Sequence, residues 1–132
     1  KMIQTIEKEF YKLKSEYEVH TSGLYNNENI RYFNKNYSRT LNDKFDNMWW
    51  AYSLDDELNA ASQIRAWLLS AQINEYLLNN FGEKWFNKRA AGEWLKELFT
   101  LGYKYNADEI SQFIGFKYLN ANELILELDR FK

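Results

Sequence analysis

Cysteine and proline are both absent from this sequence of 132 residues, and histidine occurs only once. The lack of cysteine excludes disulfides and every metal site built on thiolates. The lack of proline suits a fold made almost entirely of helices, because proline interrupts helices and fixes rigid turns. There is also no HExxH motif, no cysteine pair and no calcium-loop spacing, so no metal or other cofactor is expected in this chain. The single histidine, His20, ends a predicted helix, where its simplest role is to interact with the helix dipole.

Long apolar runs are lacking as well. The longest, such as AWLL at 66–69, are far too short to cross a bilayer, so a membrane is not an expected partner. No charged and then apolar leader opens the sequence, which favours a cytoplasmic location over secretion. Charged residues make up 27% of the chain and the net charge is −2, so no strongly basic face is indicated and nucleic acid is not an expected partner either.

Apolar side chains, in contrast, are plentiful. They account for 45% of the residues, and aromatic residues alone for 18%, which is enough for one well-packed domain of this length. We therefore expect a single helical domain over 1–132. The sequence begins with Lys1 before Met2, and on that basis we also expect it to be a fragment of a longer polypeptide.

The segment 55–82 has helical periodicity with apolar side chains on two sides of the helix. Such a helix is normally buried, with neighbours on several sides. Asp55 and Asp56 are expected to cap its start, and Gly82 to supply the left-handed residue that ends it. We predict an all-α, single-domain bundle of about six to seven helices around a central buried helix at 55–81. The two apolar arcs of that helix consist of Ala60, Ala61, Ile64, Trp67, Leu68, Ala71 and Leu78 on one side, and Leu58, Leu69, Ile73, Tyr76 and Leu77 on the other.

The first predicted helix, at 2–20, is amphipathic and charged. Its apolar residues alternate spacings of three and four, as in a coiled coil, so this helix either packs along the domain or pairs with a second copy or another part of a parent chain. The residues of this seam are Ile3, Ile6, Phe10, Leu13 and Tyr17.

Five further helices are predicted, and no strand. A short helix within 24–39 places Ile30, Phe33 and Tyr37 on one face. Another is expected from Thr40, as N-cap, to Ser53. The third ends at Gly102, and two short helices begin at asparagine caps, Asn106 and Asn120. The apolar face of the third consists of Trp94, Leu95, Leu98, Phe99 and Leu101, preceded by Trp85 and Phe86 as expected anchors.

Carboxylates are the one catalytic resource present in quantity. Glu93 and Glu97 lie one turn apart on a predicted helix, and Asp55, Asp56 and Glu57 cluster at a predicted helix start. Either group could supply an acid and a base, but helix capping and solvated surface are the more common use of such residues. No GxSxG elbow or phosphate-binding glycine loop is present. The sequence therefore predicts no catalytic residue.

Arg65 and Gln72 are the most informative polar residues. They are seven apart and thus nearly in line on the helix at 55–81, between its two apolar arcs and beside Tyr76. A guanidinium there should be partly buried and therefore needs a partner. The candidates are Asp108, Glu97 and Glu93. The structural interpretation is an ion pair that locks neighbouring helices, and the functional one is an arginine that binds a substrate carboxylate at the wall of a groove.

Four short motifs follow one another between about residues 55 and 118. They are an Arg-Ala-Trp helix, a Phe-Gly-x-x-Trp turn, an Ala-Gly-x-x-Leu-x-x-Leu helix and a Gly-x-x-Tyr-x-Ala-Asp-Glu connection. In this order they resemble a C-terminal helical segment of the oligoendopeptidase-like zinc metallopeptidases of the thermolysin clan. The matching residues are Arg65, Ala66, Trp67, Phe81, Gly82, Trp85, Ala91, Gly92, Leu95, Leu98, Gly102, Tyr105, Ala107, Asp108 and Glu109.

The resemblance implies a mostly helical fold and, in the full-length relatives, cytosolic peptide hydrolysis with zinc held by an HExxH helix. This chain lacks the HExxH, an assignable third zinc ligand and a His/Tyr substrate-binding set, so no catalytic residue can be transferred to it. What the resemblance implies here is a helical C-terminal part that lines a catalytic bowl, or a relative that has lost the chemistry. Zinc is expected only if a catalytic part exists elsewhere in a parent chain.

Three functions are thus open. The first is a non-catalytic, cleft-lining helical domain of a zinc-peptidase-like protein. The second is a helical interaction module that self-associates through 2–17 or through aromatic residues around 25–37. The third, ranked last, is a small enzyme that uses carboxylates. The expected partners are the remainder of a parent chain, a second copy of this chain, or a peptide.

Overall fold

The structure, a computed structural model, describes residues 2–22, 27–45, 47–54 and 58–130, and these contain seven α-helices, two 3-10 turns and no strand. The prediction of an all-α fold with six to seven helices is confirmed. None of the helices in these ranges is long and apolar enough to cross a membrane. In chain order the elements are α1 Met2–Ser22, α2 Asn27–Leu41, α3 Asn47–Ser53, α4 Asn59–Phe81, a 3-10 turn Trp85–Asn87, α5 Arg89–Thr100, a 3-10 turn Gly102–Lys104, α6 Ala107–Phe113 and α7 Asn122–Asp129.

The chain divides into two compact units, residues 1–64 and 65–132, with the division inside α4. The first unit packs around an aromatic core supplied by α2 and α3. Phe33 and Tyr37 stack with ring centroids 4.7 Å apart, as the predicted common face of α2 requires. The core consists of Ile30, Phe33, Tyr37 and Trp50, against which Tyr11, Val19, Phe45 and Leu54 are packed. That the whole of 1–132 forms one domain stays a prediction.

A buried serine on α1 joins the three helices of this unit. Ser15 is fully buried, and its hydroxyl accepts a 2.6 Å hydrogen bond from the indole N–H of Trp50 on α3. Its backbone carbonyl accepts a 3.2 Å bond from the side-chain amide of Asn29 on α2. Hydrogen bonds to buried groups are costly to leave unmade, so these two contacts fix how the helices align.

The apolar seam predicted along α1 is divided between core and surface. Ile6 is buried, whereas Ile3, Phe10 and Tyr17 are exposed over 44%, 47% and 63% of their surface. Leu13 is half-buried. The inward face instead includes Tyr11, Ser15 and Val19. Two i,i+4 ion pairs lie along α1, Lys12–Glu16 at 3.5 Å and Lys14–Glu18 at 3.9 Å.

The predicted helix from Thr40 to Ser53 is wrong at its start. Thr40 is buried within the last turn of α2, which runs to Leu41, and α3 begins only at Asn47. Asn42 ends α2 with a left-handed φ of 53°, a conformation that asparagine tolerates better than most residues. The backbone N–H of Asp43 then donates to the carbonyl of Ser38 at 3.1 Å, which completes the helix end.

The long helix α4 ends as predicted and is buried along part of its surface. Gly82 has a φ of 77°, and its N–H donates to the carbonyl of Leu78 at 2.8 Å, which is the left-handed stop expected of a C-terminal glycine. The predicted caps at 55 and 56 lie outside the described residues. Trp67 and Leu69 are half-buried, so the helix is not enclosed on all sides. Its buried apolar residues are Ala60, Ile64, Ala71 and Leu77.

In the second unit the two asparagine-started helices differ. Asn106 forms a complete capping box with Glu109, as predicted for α6. Asn120 accepts a 2.8 Å bond from the backbone N–H of Asn122, but Ala121 occupies the cap position of α7. Phe86 and Phe99 are not core residues, since each is 68% exposed. Tertiary packing, which sequence periodicity does not show, leaves both rings on the surface.

Candidate functional site

Arg65 near the start of the long helix is paired with a carboxylate from α6. Its guanidinium donates to the carboxylate of Asp108, one of the three partners that the sequence suggested. The other two do not take part: Glu93 accepts a 2.7 Å bond from Arg89 on its own helix, and Glu97 is exposed. Arg65 thus joins α4 to α6 through Asp108.

The pair is accessible to solvent. The Arg65 and Asp108 side chains are each 45% exposed. Exposed ion pairs contribute roughly 0–1 kcal/mol, because water competes for both charges. The pair can thus exchange partners at small cost.

Gln72, two turns further along α4, has a different role. It is fully buried, as is Ser111 on α6. The Ser111 hydroxyl donates to Gln72 Oε1 at 2.6 Å, and Gln72 Nε2 donates to the backbone carbonyl of Tyr118 at 3.1 Å and to Glu123 Oε2 at 3.4 Å. One amide thereby ties α4 to α6, to the connection after α6 and to α7. Because the amide has an acceptor and two donors and all are used, Gln72 is a structural residue.

Tyr76 is likewise occupied by packing. Its ring stacks on Trp94 of α5, with centroids 4.4 Å apart and planes 16° from parallel. The four candidate polar residues therefore do not converge on one point. Arg65 and Asp108 form one contact, Gln72 lies in a buried network, and Tyr76 holds α4 against α5.

The second unit contains an apolar recess that the sequence did not reveal. Its volume is about 280 Å³. Its lining residues come from α4, α5, the Gly102–Lys104 turn and α6, and are Leu69, Ile73, Leu98, Phe99, Gly102, Tyr103 and Ile110. Phe99 is 68% exposed and Tyr103 is fully exposed, so two aromatic rings stand at its edge. Two sequence features could have indicated this recess. They are the apolar residues that repeat along α4 and α5, and the glycine between α5 and α6, at a place where a side chain would fill the space.

The ion pair lies close to this recess along the same helix face. Arg65 precedes Leu69 by one turn and Ile73 by two, so the three share a face of α4, with a rise of about 6 Å per step. On α6, Asp108 and the recess residue Ile110 are two positions apart and therefore lie on different sides of that helix. The arrangement is an apolar recess with a half-exposed cation–carboxylate pair near one end.

Ionisable groups do not form a metal centre in the ranges that the structure covers. No group of three or more histidine, cysteine, aspartate or glutamate residues comes together there. His20 is exposed in the last turn of α1. Of the two carboxylate groups considered from the sequence, 55–57 lies outside the described residues, and Glu93 is paired with Arg89.

Comparisons with known proteins give no relative. No family model, no curated protein and no solved structure matches this chain.

Proposed function

We propose that this chain is a non-catalytic helical domain that contributes a wall of a peptide-binding cleft, as the C-terminal part of a zinc-peptidase-like protein would. The observation that carries the proposal is the apolar recess of the second unit, with its aromatic edge and its neighbouring ion pair. The role is that of a binding wall: it positions a peptide segment, and any peptide-bond chemistry would come from a catalytic part elsewhere in a parent chain.

The recess is large enough for one apolar side chain of a peptide. Sites for drug-sized molecules typically enclose about 300–1,000 Å³, and this recess, at about 280 Å³, is just below that range. Its walls are aliphatic and aromatic, with Leu69, Ile73 and Ile110 contributing the aliphatic part. A leucine or phenylalanine side chain of a peptide would bury itself here, with roughly 1.5–3 kcal/mol gained from removing it from water.

The rim supplies the contacts that make such a site specific. Phe99 and Tyr103 project their rings into solvent, and exposed aromatic residues are enriched where proteins bind other chains. Arg65, near the end of the recess, is half-exposed and can bind a carboxylate in a forked geometry. A peptide with an apolar side chain near a carboxylate would therefore match both features.

A peptide titration followed by NMR tests this proposal. The probes are pentapeptides Gly-Gly-X-Gly-Gly with a free carboxylate, with X as leucine, phenylalanine or aspartate. The leucine and phenylalanine peptides are expected to shift the amide resonances of Leu69, Ile73 and Ile110, and the aspartate peptide is not. Equal shifts from all three peptides, or no shift at these residues, would contradict the proposal.

Matched surface variants sharpen that test. Phe99→Ser and Tyr103→Ser are expected to abolish the shifts, because each removes a ring at the rim without opening the core. Phe113→Ser is the control, since Phe113 is 72% exposed in the same unit but does not line the recess. Binding that survives both rim substitutions would show that the peptide lies elsewhere.

The link to the zinc peptidases has a separate test. A gene whose product carries an HExxH motif upstream of this segment would support it, because that motif supplies two zinc ligands and the general base. A product without any zinc-binding motif would contradict the peptidase link and leave the peptide-binding recess to be judged by the titration.

A second candidate function is favoured by α1. The exposure of Ile3, Phe10 and Tyr17 at intervals of seven residues supports a helical module that associates with another chain. Exposed apolar residues in such a regular row are typical of helix pairing.

A further inference from the structure

The exposed face of α1 carries charges as well as apolar side chains, in a regular order. Glu7 and Lys14 are exposed and fall between the three exposed apolar residues. The resulting row, which we call the α1 stripe, alternates spacings of four and three along one face of the helix. It consists of Ile3, Glu7, Phe10, Lys14 and Tyr17.

The residues of α1 that contact the aromatic core lie on a different side from the stripe, whereas the buried Ile6, one turn before Phe10, borders it. Tyr11 and Val19 contact the aromatic core, and Ser15 bonds to Trp50. Each charged member of the stripe contacts a side chain of α2 in the part of the chain that the structure describes. Lys14 lies 3.9 Å from Glu18 and 3.8 Å above the ring of Tyr32.

Glu7 is in a similar position. One of its carboxylate oxygens accepts a 3.3 Å bond from the hydroxyl of Thr40, which is longer than the usual O–H···O hydrogen bond. Both charges can therefore accept an additional partner without losing a strong contact.

The order of residues in the stripe is self-complementary about Phe10. Ile3 lies seven residues before Phe10 and Tyr17 seven after it. Glu7 lies three residues before Phe10 and Lys14 four after it, which is about 4.5 Å and 6 Å along the axis. If two copies of α1 run antiparallel with their Phe10 residues facing, Glu7 of each copy lies within about 1.5 Å, along the axis, of Lys14 of the other.

We propose that this protein forms a two-fold symmetric dimer in which the α1 stripe pairs antiparallel with the stripe of a second copy, centred on Phe10. The inference rests on the second candidate function and adds its partner and geometry. Ile3 of one copy packs against Tyr17 of the other at both ends, and two Glu7–Lys14 pairs lie between the apolar contacts. A self-complementary patch is what a two-fold interface requires.

The charges favour this direction over the parallel one. In a parallel pair in register, each residue faces its own copy, so Glu7 would face Glu7 and Lys14 would face Lys14. Like charges in contact oppose association. In the antiparallel pair, Glu7 of each copy faces Lys14 of the other, so the same residues attract one another.

The interface is expected to be small and the dimer reversible. A helix of 21 residues is about 31 Å long, and one pair of such helices lies at the low end of the area that stable complexes bury. A dissociation constant in the micromolar range is therefore expected, and sedimentation equilibrium at protein concentrations between about 10 and 500 µM measures it.

Charge reversal tests the pairing directly. Glu7→Lys and Lys14→Glu are each expected to weaken the dimer about tenfold, since each turns two attractions into two repulsions. The double variant Glu7→Lys/Lys14→Glu is expected to restore it, which a merely structural effect of either residue would not do. Lys35→Glu, an exposed charge reversal on α2, is the matched control and should leave dimerisation unchanged. Failure of the double variant to recover overturns the antiparallel pairing.

The central aromatic residue and the direction of the helices are tested separately. Phe10→Glu is expected to give a monomer, whereas Tyr52→Glu, at another exposed aromatic residue of the first unit, is not. Because the chain has no cysteine, a spin label at Thr21→Cys is unique. The labelled backbones are expected about 33 Å apart in the antiparallel dimer, against roughly 10 Å in a parallel one.

Circular dichroism of every variant confirms that it is folded before its association is compared. A wild-type protein that is monomeric throughout the concentration range overturns the dimer and self-association as a function together. A dimer that Phe10→Glu leaves intact overturns the α1 stripe as its interface, while self-association through another surface survives. A short distance between the labels overturns the antiparallel geometry alone.

Discussion

Replacing Gln72 by leucine is the most direct test of how the second unit is held together. The substitution keeps the approximate size of the side chain but removes three hydrogen bonds, to Ser111, to the carbonyl of Tyr118 and to Glu123. Each partner left buried without a bond costs about 1–3 kcal/mol. Part of this is offset because leucine is itself favourable in an apolar interior. We expect a net loss of about 2–4 kcal/mol in the free energy of unfolding.

Urea unfolding, followed by far-UV circular dichroism, measures this loss. The matched control is Gln63→Leu, the same chemical change at an exposed position of the same helix, which should stay within about 0.5 kcal/mol of wild type. A double-mutant cycle with Ser111→Ala isolates the 2.6 Å bond. The double variant should lose about 1–2 kcal/mol less stability than the sum of the two single losses, because the second substitution removes a group that the first has already left unpaired.

Two results would refute this reasoning. A Gln72→Leu variant as stable as the Gln63→Leu control would mean that the amide is not buried in a satisfied network. Strictly additive losses in the cycle with Ser111→Ala would mean that the two side chains do not interact in solution.

Four further substitutions have expected outcomes that the same unfolding experiment measures. Gly82→Ala should lower the free energy of unfolding by about 1–2 kcal/mol, because alanine is strained at a φ of 77°. Gly92→Ala should raise it by about 0.5–1 kcal/mol, because Gly92 lies inside α5 and no neighbouring group is within 4 Å of the added carbon. Equal effects of the two substitutions would contradict the backbone conformation at Gly82. Trp50→Phe should lose about 1–3 kcal/mol, because it leaves the buried serine hydroxyl of α1 without its 2.6 Å donor, and no loss would show that this bond is absent. Arg65→Ala should lower the free energy of unfolding by less than about 1 kcal/mol, because the guanidinium and its carboxylate partner are half-exposed. Salt at 0.5 M should reduce that loss, since it screens exposed charges. A loss above about 3 kcal/mol would indicate a buried pair instead.

The features that the sequence predicted correctly depend on local chemistry. Gly82 ends α4 because the left-handed conformation is intrinsically easy for glycine, and the Asn106–Glu109 box needs only residues three apart. The pairing of Arg65 was also predictable, because a charge between two apolar arcs needs a partner. The choice of Asp108 among three carboxylates was not, since it depends on where α6 lies.

The features that the sequence did not predict depend on tertiary packing. Thr40 has the character of a helix cap, yet α2 continues past it because Phe33 and Tyr37 hold that helix in the core. Phe99 fits the apolar face of α5 on a helical wheel, but no element covers it among the residues described, and it is 68% exposed. A helical wheel shows which residues share a face, but it does not show which face packs against another helix.

The Gln72 network has a consequence for any molecule that enters the apolar recess. Ile110, which lines the recess, is the immediate neighbour of Ser111, whose hydroxyl is bonded to Gln72. Directional hydrogen bonds therefore hold the α6 wall of the recess in place. A ligand would therefore bind to a preformed recess, and the protein would lose little conformational entropy on binding.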